Sequence, residues 1–257
     1  MGILNVTPDS FSDGGKFLSV DNAIARAKEM TDEGADIIDV GGESTRPGST
    51  GISLDQEMKR ILPVVKRLVK EISVPISIDT RKPEVARACL ELGAHIINDV
   101  SGLADEKMIE VVARFKVPVV IMHMKGTPEA MQVNPTYENV VEEISLFLSE
   151  RALRARQAGI EQVIIDPGIG FGKTIEHNLS ILKHLGEFKA LGYPVFIGPS
   201  RKSFLGNMLQ IPVEERLVPT IAALTACVLN GADFLRVHDV KECKRAILVA
   251  DAIKNAS

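Results

Sequence analysis

The chain has 257 residues, 45% hydrophobic and 25% charged, with a formal net charge of −4 and a pI near 5.8. That balance supports one large core and excludes a broad basic surface for nucleic acid, so an anionic ligand has to be met by a local Lys/Arg cluster. No long apolar window or basic leader supports a membrane span or signal peptide, and three cysteines without a CxxC pair (Cys89, Cys227, Cys243) fit buried free thiols in a reducing, cytoplasmic compartment.

In chain order, apolar runs of β type alternate with stretches of helical period. Gly2-Ile3-Leu4 runs into Asn5 and is followed by a helical stretch over 20–33; Ile37-Ile38 runs into Asp39, then 53–72; Ile76-Ser77-Ile78 into Asp79, then 82–92; His95-Ile96-Ile97 into Asn98, then 105–115. Val119 to Met122 runs into His123, then 138–158; Val163-Ile164-Ile165 into Asp166, then 175–190; Val195-Phe196-Ile197 through Gly198-Pro199 to Ser200, then 213–230; and Phe234-Leu235 into Arg236 and His238, then 239–254. The segments Glu33-Gly34-Ala35, Leu92-Gly93-Ala94 and Asn230-Gly231-Ala232 each precede a run, as expected where a left-handed glycine closes a helix before a strand.

Such alternation favours parallel strands with crossover helices, in an open doubly wound sheet or a closed barrel. Eight units in this length, nearly all ending on a polar residue, predict a single α/β domain over 1–257, a (β/α)8 TIM barrel whose long βα loops (7–19, 41–53, 124–138) build the active site at the C-terminal face.

The segment Asp166-Pro-Gly-Ile-Gly-Phe-Gly-Lys173-Thr174 fits neither a Walker A loop nor a dinucleotide fingerprint. A tight turn that lets backbone approach a flat ligand beside Asp166 suits it better. Pro199-Ser200-Arg201-Lys202-Ser203 follows the seventh strand, where barrels often hold an anion, and alternation points Arg236 and His238 to one side with Val237 on the other. Asp79, Asn98 and Asp166 either cap helices and pair with Lys or Arg, or form a hydrogen-bonding floor for a polar heterocycle. The spacing lacks a zinc pattern and allows at most a hard ion such as Mg²⁺.

Asn5-Val-Thr-Pro-Asp-Ser-Phe-Ser-Asp-Gly-Gly15 and Asp39-Val-Gly-Gly-Glu-Ser-Thr-Arg-Pro-Gly48 together resemble the dihydropteroate synthase family. The resemblance extends through Asp79-Thr-Arg-Lys82, Ile97-Asn-Asp-Val100, the Asp166 to Thr174 loop, Ser200-Arg-Lys-Ser203 and Arg236-Val-His-Asp-Val240. It implies condensation of 6-hydroxymethyl-7,8-dihydropterin pyrophosphate with 4-aminobenzoate to 7,8-dihydropteroate and pyrophosphate, in folate biosynthesis. Asp79, Asn98, Asp166 and Lys202 would then hold the pterin edge, with Arg236 against the ring face. Asn5 would help place Mg²⁺. Thr45, Arg46, Arg236 and His238 would receive the pyrophosphate, and Ser200, Lys202, Thr45, Pro47 and Phe171 would surround the aminobenzoate. Of these, Arg46, Lys202, Arg236 and His238 are the expected catalytic residues. The resemblance further implies a homodimer and a sulfonamide target, and loops 7–19 and 41–53 are expected to order over the pyrophosphate. Two other readings share the pocket: a methyltransferase domain acting on methyltetrahydrofolate, which has no need of the Ser-Thr-Arg-Pro loop, and a noncatalytic pterin carrier, which gains little from Arg46 and Arg236.

Overall fold

The computed structural model describes residues 1–6, 16–44, 48–49, 51–127 and 130–256, with residues 16–19 described by their backbone alone. The expected loops 7–19 and 41–53 therefore lie partly outside the described residues. Thr45, Arg46 and Pro47 lie wholly outside them.

Among the described residues, eight short strands form the frame: β1 (Gly2–Asn5), β2 (Ile38–Gly41), β3 (Ile76–Asp79), β4 (Ile96–Asp99), β5 (Val119–Met122), β6 (Val163–Asp166), β7 (Phe196–Ile197) and β8 (Phe234–Leu235). The first six pair in sequence order and in parallel, and β7 pairs in parallel with β8. Bridges Ile165↔Val195 and Gly2↔Val237 join the two sheets at both seams, which closes the (β/α)8 barrel. Helices α1 (Lys16–Asp32), α2 (Leu54–Glu71), α3 (Pro83–Glu91), α4 (Glu106–Phe115) and α5 (Val140–Gln157) follow the first five strands. Gly93 and Gly231 adopt φ of +106° and +108°, closing the helix ends as the repeated motif predicts.

Period-two alternation divides each strand between two environments. Val40, Ile78, Ile97, Ile121, Ile165, Ile197 and Val237 join the core between strands and helices. The opposite faces line the barrel. Val120, Ile164 and Phe196, with Met1 and Phe234 against them, fill its lower part. Asp39, Asp79, Asn98 and Asp166, each on the face opposite the aliphatic core, are buried above that plug. The barrel interior is thus apolar at one end and polar at the other, and the polar end is where the strands stop.

The structure departs from the expected helices in the last third. The stretch 175–190 is two helices, α6 (Ile175–Lys183) and α7 (Leu185–Lys189), because His184 leaves helical geometry at φ −106°, ψ 27°. An unexpected helix α8 (Ser203–Leu209) follows β7 and ends on Gln210 in the left-handed region. The stretch 213–230 opens with a 3-10 turn over Val213–Glu215, and α9 (Leu217–Leu229) begins only then. A continuous helix would drive the Pro219 ring into the carbonyl four residues earlier; starting at Leu217 places the proline in the first turn, where no N–H is missed. Helix α10 (Val240–Lys254) packs against α9 and completes the ring.

Candidate active site

Arg236, one residue beyond β8, enters the polar end of the barrel. Its Nε donates to Asp39 Oδ2 at 2.7 Å and its Nη2 to Asp79 Oδ2 at 2.8 Å. Asn98 Nδ2 donates to the same Asp39 oxygen at 3.1 Å. Two carboxylates therefore share one guanidinium, which among the described residues keeps three of its five N–H donors for other partners. Burial opposes the charge on Arg236, but Asp39 and Asp79 outweigh it and hold its pKa above the ordinary value. Burial likewise pushes the Asp79 carboxyl up, against the pull of Arg236 and with the charges of Asp39 and Glu57 adding to the rise. Asp39 Oδ1 and Asp79 Oδ1 are buried without a hydrogen-bond partner among the described residues. Unpaired buried acceptors are costly, and here they face the barrel interior, where a ligand's N–H groups can satisfy them.

Across the barrel, Asp166 Oδ1 accepts from the Gly168 N–H at 2.7 Å, so the turn after β6 orients the carboxylate. The next turn lays Phe171 into a small cluster with Val100, Met122 and Met131, and Lys202 Nζ lies 4.0 Å from the Phe171 ring centroid. Ser200 and His238 meet on the same rim. Ser200 Oγ accepts the His238 backbone N–H at 3.2 Å and lies 3.0 Å from His238 Nδ1. Arg201 turns away instead and pairs with Asp239, Nε to Oδ2 at 2.8 Å, tying the loop after β7 to the end of β8.

The expected residues thus fall into adjacent groups: Asp79, Asn98 and Arg236; Asp166, Phe171 and Lys202; Ser200 and His238. Asp39 joins the first group although the sequence marked it only as a strand end. Buried Glu43, in loop 41–53, and buried Glu57 meet at half-buried Lys82, whose Nζ bridges them, 2.9 Å from Glu43, and Glu43 accepts the Ile52 N–H at 2.9 Å. Ser53 and Gln56 form a capping box at the start of α2, which fixes the far end of that loop.

Asn5 pairs in register with Gly41, and Gly41 with Asp79. A Cβ at Gly41 would stand 3.6 Å from both Asn5 Oδ1 and Asp79 Cβ, so bare backbone separates the two side chains. Among the described residues no group of three His, Cys, Asp or Glu could hold a metal ion. One carboxamide oxygen is a hard donor that suits Mg²⁺ held mainly by water and substrate oxygens. A cleft of about 700 Å³ lies at the other end of the barrel, among Ile96, Pro118, Gln162, Tyr193, Pro194 and Phe234, and shares none of these groups.

Residues 1–238 match the model of a family described as "Pterin binding enzyme". The dihydropteroate synthase of Synechocystis sp. is 47% identical over 257 residues, covering 98% of this chain and 89% of the relative. The dihydropteroate synthase of Xanthomonas albilineans, solved with 4-aminobenzoic acid, superposes with a TM-score of 0.94 at 44% identity, covering 100% of this chain and 93% of that one. The Yersinia pestis enzyme, solved as a sulfonamide drug complex, also gives 0.94, at 41% identity over 100% and 94% of the two chains. The chain belongs to the pterin-binding enzyme family, in its dihydropteroate synthase branch.

Proposed function

We propose that this chain condenses 6-hydroxymethyl-7,8-dihydropterin pyrophosphate with 4-aminobenzoate, releasing 7,8-dihydropteroate and pyrophosphate, as a transferase of folate biosynthesis. The observation that carries the reading is Arg236 pinned between buried Asp39 and Asp79, beside Asn98, with two carboxylate oxygens left to accept from a heterocycle. Asp79, Asn98 and Asp166 take the pterin's amino and ring N–H groups, and Lys202 its edge. The flat guanidinium of Arg236 lies against the ring.

As the pyrophosphate leaves, positive charge builds on the methylene carbon and spreads into the electron-rich dihydropterin. The site then has two tasks: to stabilise the departing anion and to hold the amine in line. Arg236 and His238, with Thr45 and Arg46 of loop 41–53, receive the anion. Ser200, Lys202, Phe171, Thr45 and Pro47 surround the arylamine, which is nucleophilic without a strong base. Asn5 would help hold Mg²⁺, which would neutralise charge on the pyrophosphate. The sulfonamide drug complex of the Yersinia pestis relative supports this chain as a sulfonamide target.

Purified protein given both substrates and Mg²⁺ is expected to release pyrophosphate and dihydropteroate in equal amounts, and to stop when the metal is chelated. Pterin binding with neither product would favour a carrier. Methyl transfer from methyltetrahydrofolate would favour the other barrel chemistry.

Burial pushes the Asp166 carboxyl up to about 6, against the pull of the Gly168 N–H, Lys202, Lys173 and Arg236. A ligand that donates to this group binds its ionised form, so pterin affinity is held above that pH and falls about tenfold per unit below it. The unliganded fold feels the opposite sign, because a raised carboxyl pKa adds stability as the pH falls through it towards the ordinary 3.8. Calorimetric titration of 6-hydroxymethyl-7,8-dihydropterin across this range measures the effect; a flat profile would exclude Asp166 as the acceptor.

A homodimer is supported by exposed apolar residues on α9 and α10, namely Val218, Leu229, Leu248, Val249 and Ile253, and sedimentation velocity reads it directly. No helix among the described residues is long and apolar enough to cross a membrane. The three cysteines are free and buried, with burial pushing each thiol up to about 12, which supports a reducing, cytoplasmic compartment.

A further inference from the structure

Behind the ligand-facing side of the glycine loop lies a polar cluster that the condensation as described leaves without a task. Lys173 is 3% exposed. Its Nζ lies 3.0 Å from His123 Nδ1, 3.0 Å from the Phe171 carbonyl oxygen and 3.4 Å from the His123 carbonyl oxygen. An ammonium has three N–H donors and no acceptor, so these three acceptors use all of it. With Lys173 protonated, Nδ1 is the acceptor and the ring proton of the neutral His123 imidazole is assigned to Nε2. Burial first, then the charges of Lys173 and Lys125, drive the pKa of that ring down to about 3.

The loop's other carbonyls have their own ties to the segment after β5. Gln132 Nε2 donates to Gly170 O at 2.6 Å, and the Tyr137 hydroxyl to Gly172 O at 2.9 Å. Lys173 holds the carbonyl between them, that of Phe171, whose ring Lys202 covers at 4.0 Å. The charged and titratable groups facing Lys173 are Asp166 at the end of β6, Lys202 after β7, Lys125 and His123 after β5, and His177 on α6. Among the described residues of this set Asp166 is the sole anion; its backbone carbonyl accepts the His123 N–H at 2.9 Å, so the residue whose Nδ1 and carbonyl face Lys173 is also the one paired with Asp166, which feels the Lys173 charge in return.

We propose that Lys173 is a positioning residue for the condensation: through the Phe171 carbonyl it sets the aromatic ring on the aminobenzoate side, and through space its ammonium keeps Asp166 ionised for the pterin. The proposal rests on the function argued above and adds a residue that touches neither substrate. Burial lowers the lysine's pKa to about 7, with Asp166 opposing, so Lys173 carries its charge through the acid range in which Asp166 titrates.

Three variants separate the two arms. Lys173→Met removes donors and charge, Lys173→Gln keeps donors without charge, and Lys173→Arg restores both. Melting temperature, kcat, the KM of each substrate and the pH profile of 6-hydroxymethyl-7,8-dihydropterin affinity are measured for all. For Lys173→Met, the KM for aminobenzoate is expected to rise about tenfold with a smaller change in kcat, and the acid limb of pterin affinity to move up by about one pH unit. Lys173→Gln should move the limb in the same way while its aminobenzoate KM stays near the reference, and Lys173→Arg should return the limb. If the methionine variant does not fold, the glutamine and arginine variants decide the matter. A limb that stays put in the glutamine variant, or a uniform loss of kcat and both affinities that tracks melting temperature, overturns the proposal. Product formation by the unaltered chain is assayed alongside, so failure of the synthase reading would show in the reference protein and failure of this proposal only in the variants.

Discussion

Replacing Arg236 with methionine is expected to lower kcat/KM by about 10²–10³ and to destabilise the fold by about 3–5 kcal/mol. The large stability effect follows from what remains: Asp39 and Asp79, both buried, each lose the charged hydrogen bond they share through one guanidinium. Attraction within a buried pair offsets its desolvation only while both partners are present. The Asp79 carboxyl, already pushed up by burial, rises further when Arg236 is gone. A raised carboxyl pKa favours the fold as the pH falls, so the destabilisation should shrink as the pH falls from the variant's higher Asp79 pKa through the reference value of about 7, and level off below it. Urea midpoints for the variant and the unaltered protein from mildly alkaline to mildly acidic pH measure that sign. Adding Asp39→Asn to Arg236→Met removes one uncompensated carboxylate and should recover part of the stability without recovering turnover. A single variant that keeps both its midpoint and its kcat/KM would remove Arg236 from the centre of the site.

The barrel was legible because one rule served two environments. Val40, Ile78, Ile97, Ile165 and Val237 face the helices, and their alternation with Asp39, Asp79, Asn98, Asp166 and Arg236 appears in the sequence as apolar runs that stop on polar residues. Asp39 shows the limit of that signal. It read as another strand end, yet its partner Arg236 stands 197 residues further along the chain, and only barrel closure brings the two within 2.7 Å. Helix α8 escaped notice because its seven residues make barely two turns, too few for a period to show.

Lys173 was the least legible group. Nothing in the local sequence marks a lysine after a glycine-rich turn as buried, and two of the three acceptors around it belong to His123, fifty residues away. Such a site can be assembled only when the turn after β6 is packed on the end of β5. Glu43 was hidden in a similar way: it lies within a Gly-Gly-Glu-Ser loop, and its partners Arg81 and Lys82 come from the next strand's end.

The same packing of one turn on another sets the second large expectation, for Gly168→Ala. Gly168 has φ +71°, and a Cβ built there would lie 1.9 Å from the carbonyl oxygen of His123. That oxygen is backbone and already accepts from Lys173, so no side-chain rotation relieves the overlap. The left-handed conformation alone costs an alanine about 1 kcal/mol; with the turn also forced off β5, the total loss is expected to exceed about 3 kcal/mol. Moving the turn breaks the 2.7 Å bond from the Gly168 N–H to Asp166 and shifts Phe171, whose N–H donates to the Gly168 carbonyl at 3.1 Å. Misplacement of about 1 Å at both substrates' contacts should lower kcat/KM by about a hundredfold. Gly159→Ala supplies the contrast. Its φ is +89°, but nothing lies within 4 Å of the added Cβ, so it should lose only the conformational part, about 1 kcal/mol, and keep full turnover. If the two variants have equal urea midpoints and equal kcat/KM, the seating of the glycine turn on the end of β5 does not set the position of Asp166 and Phe171.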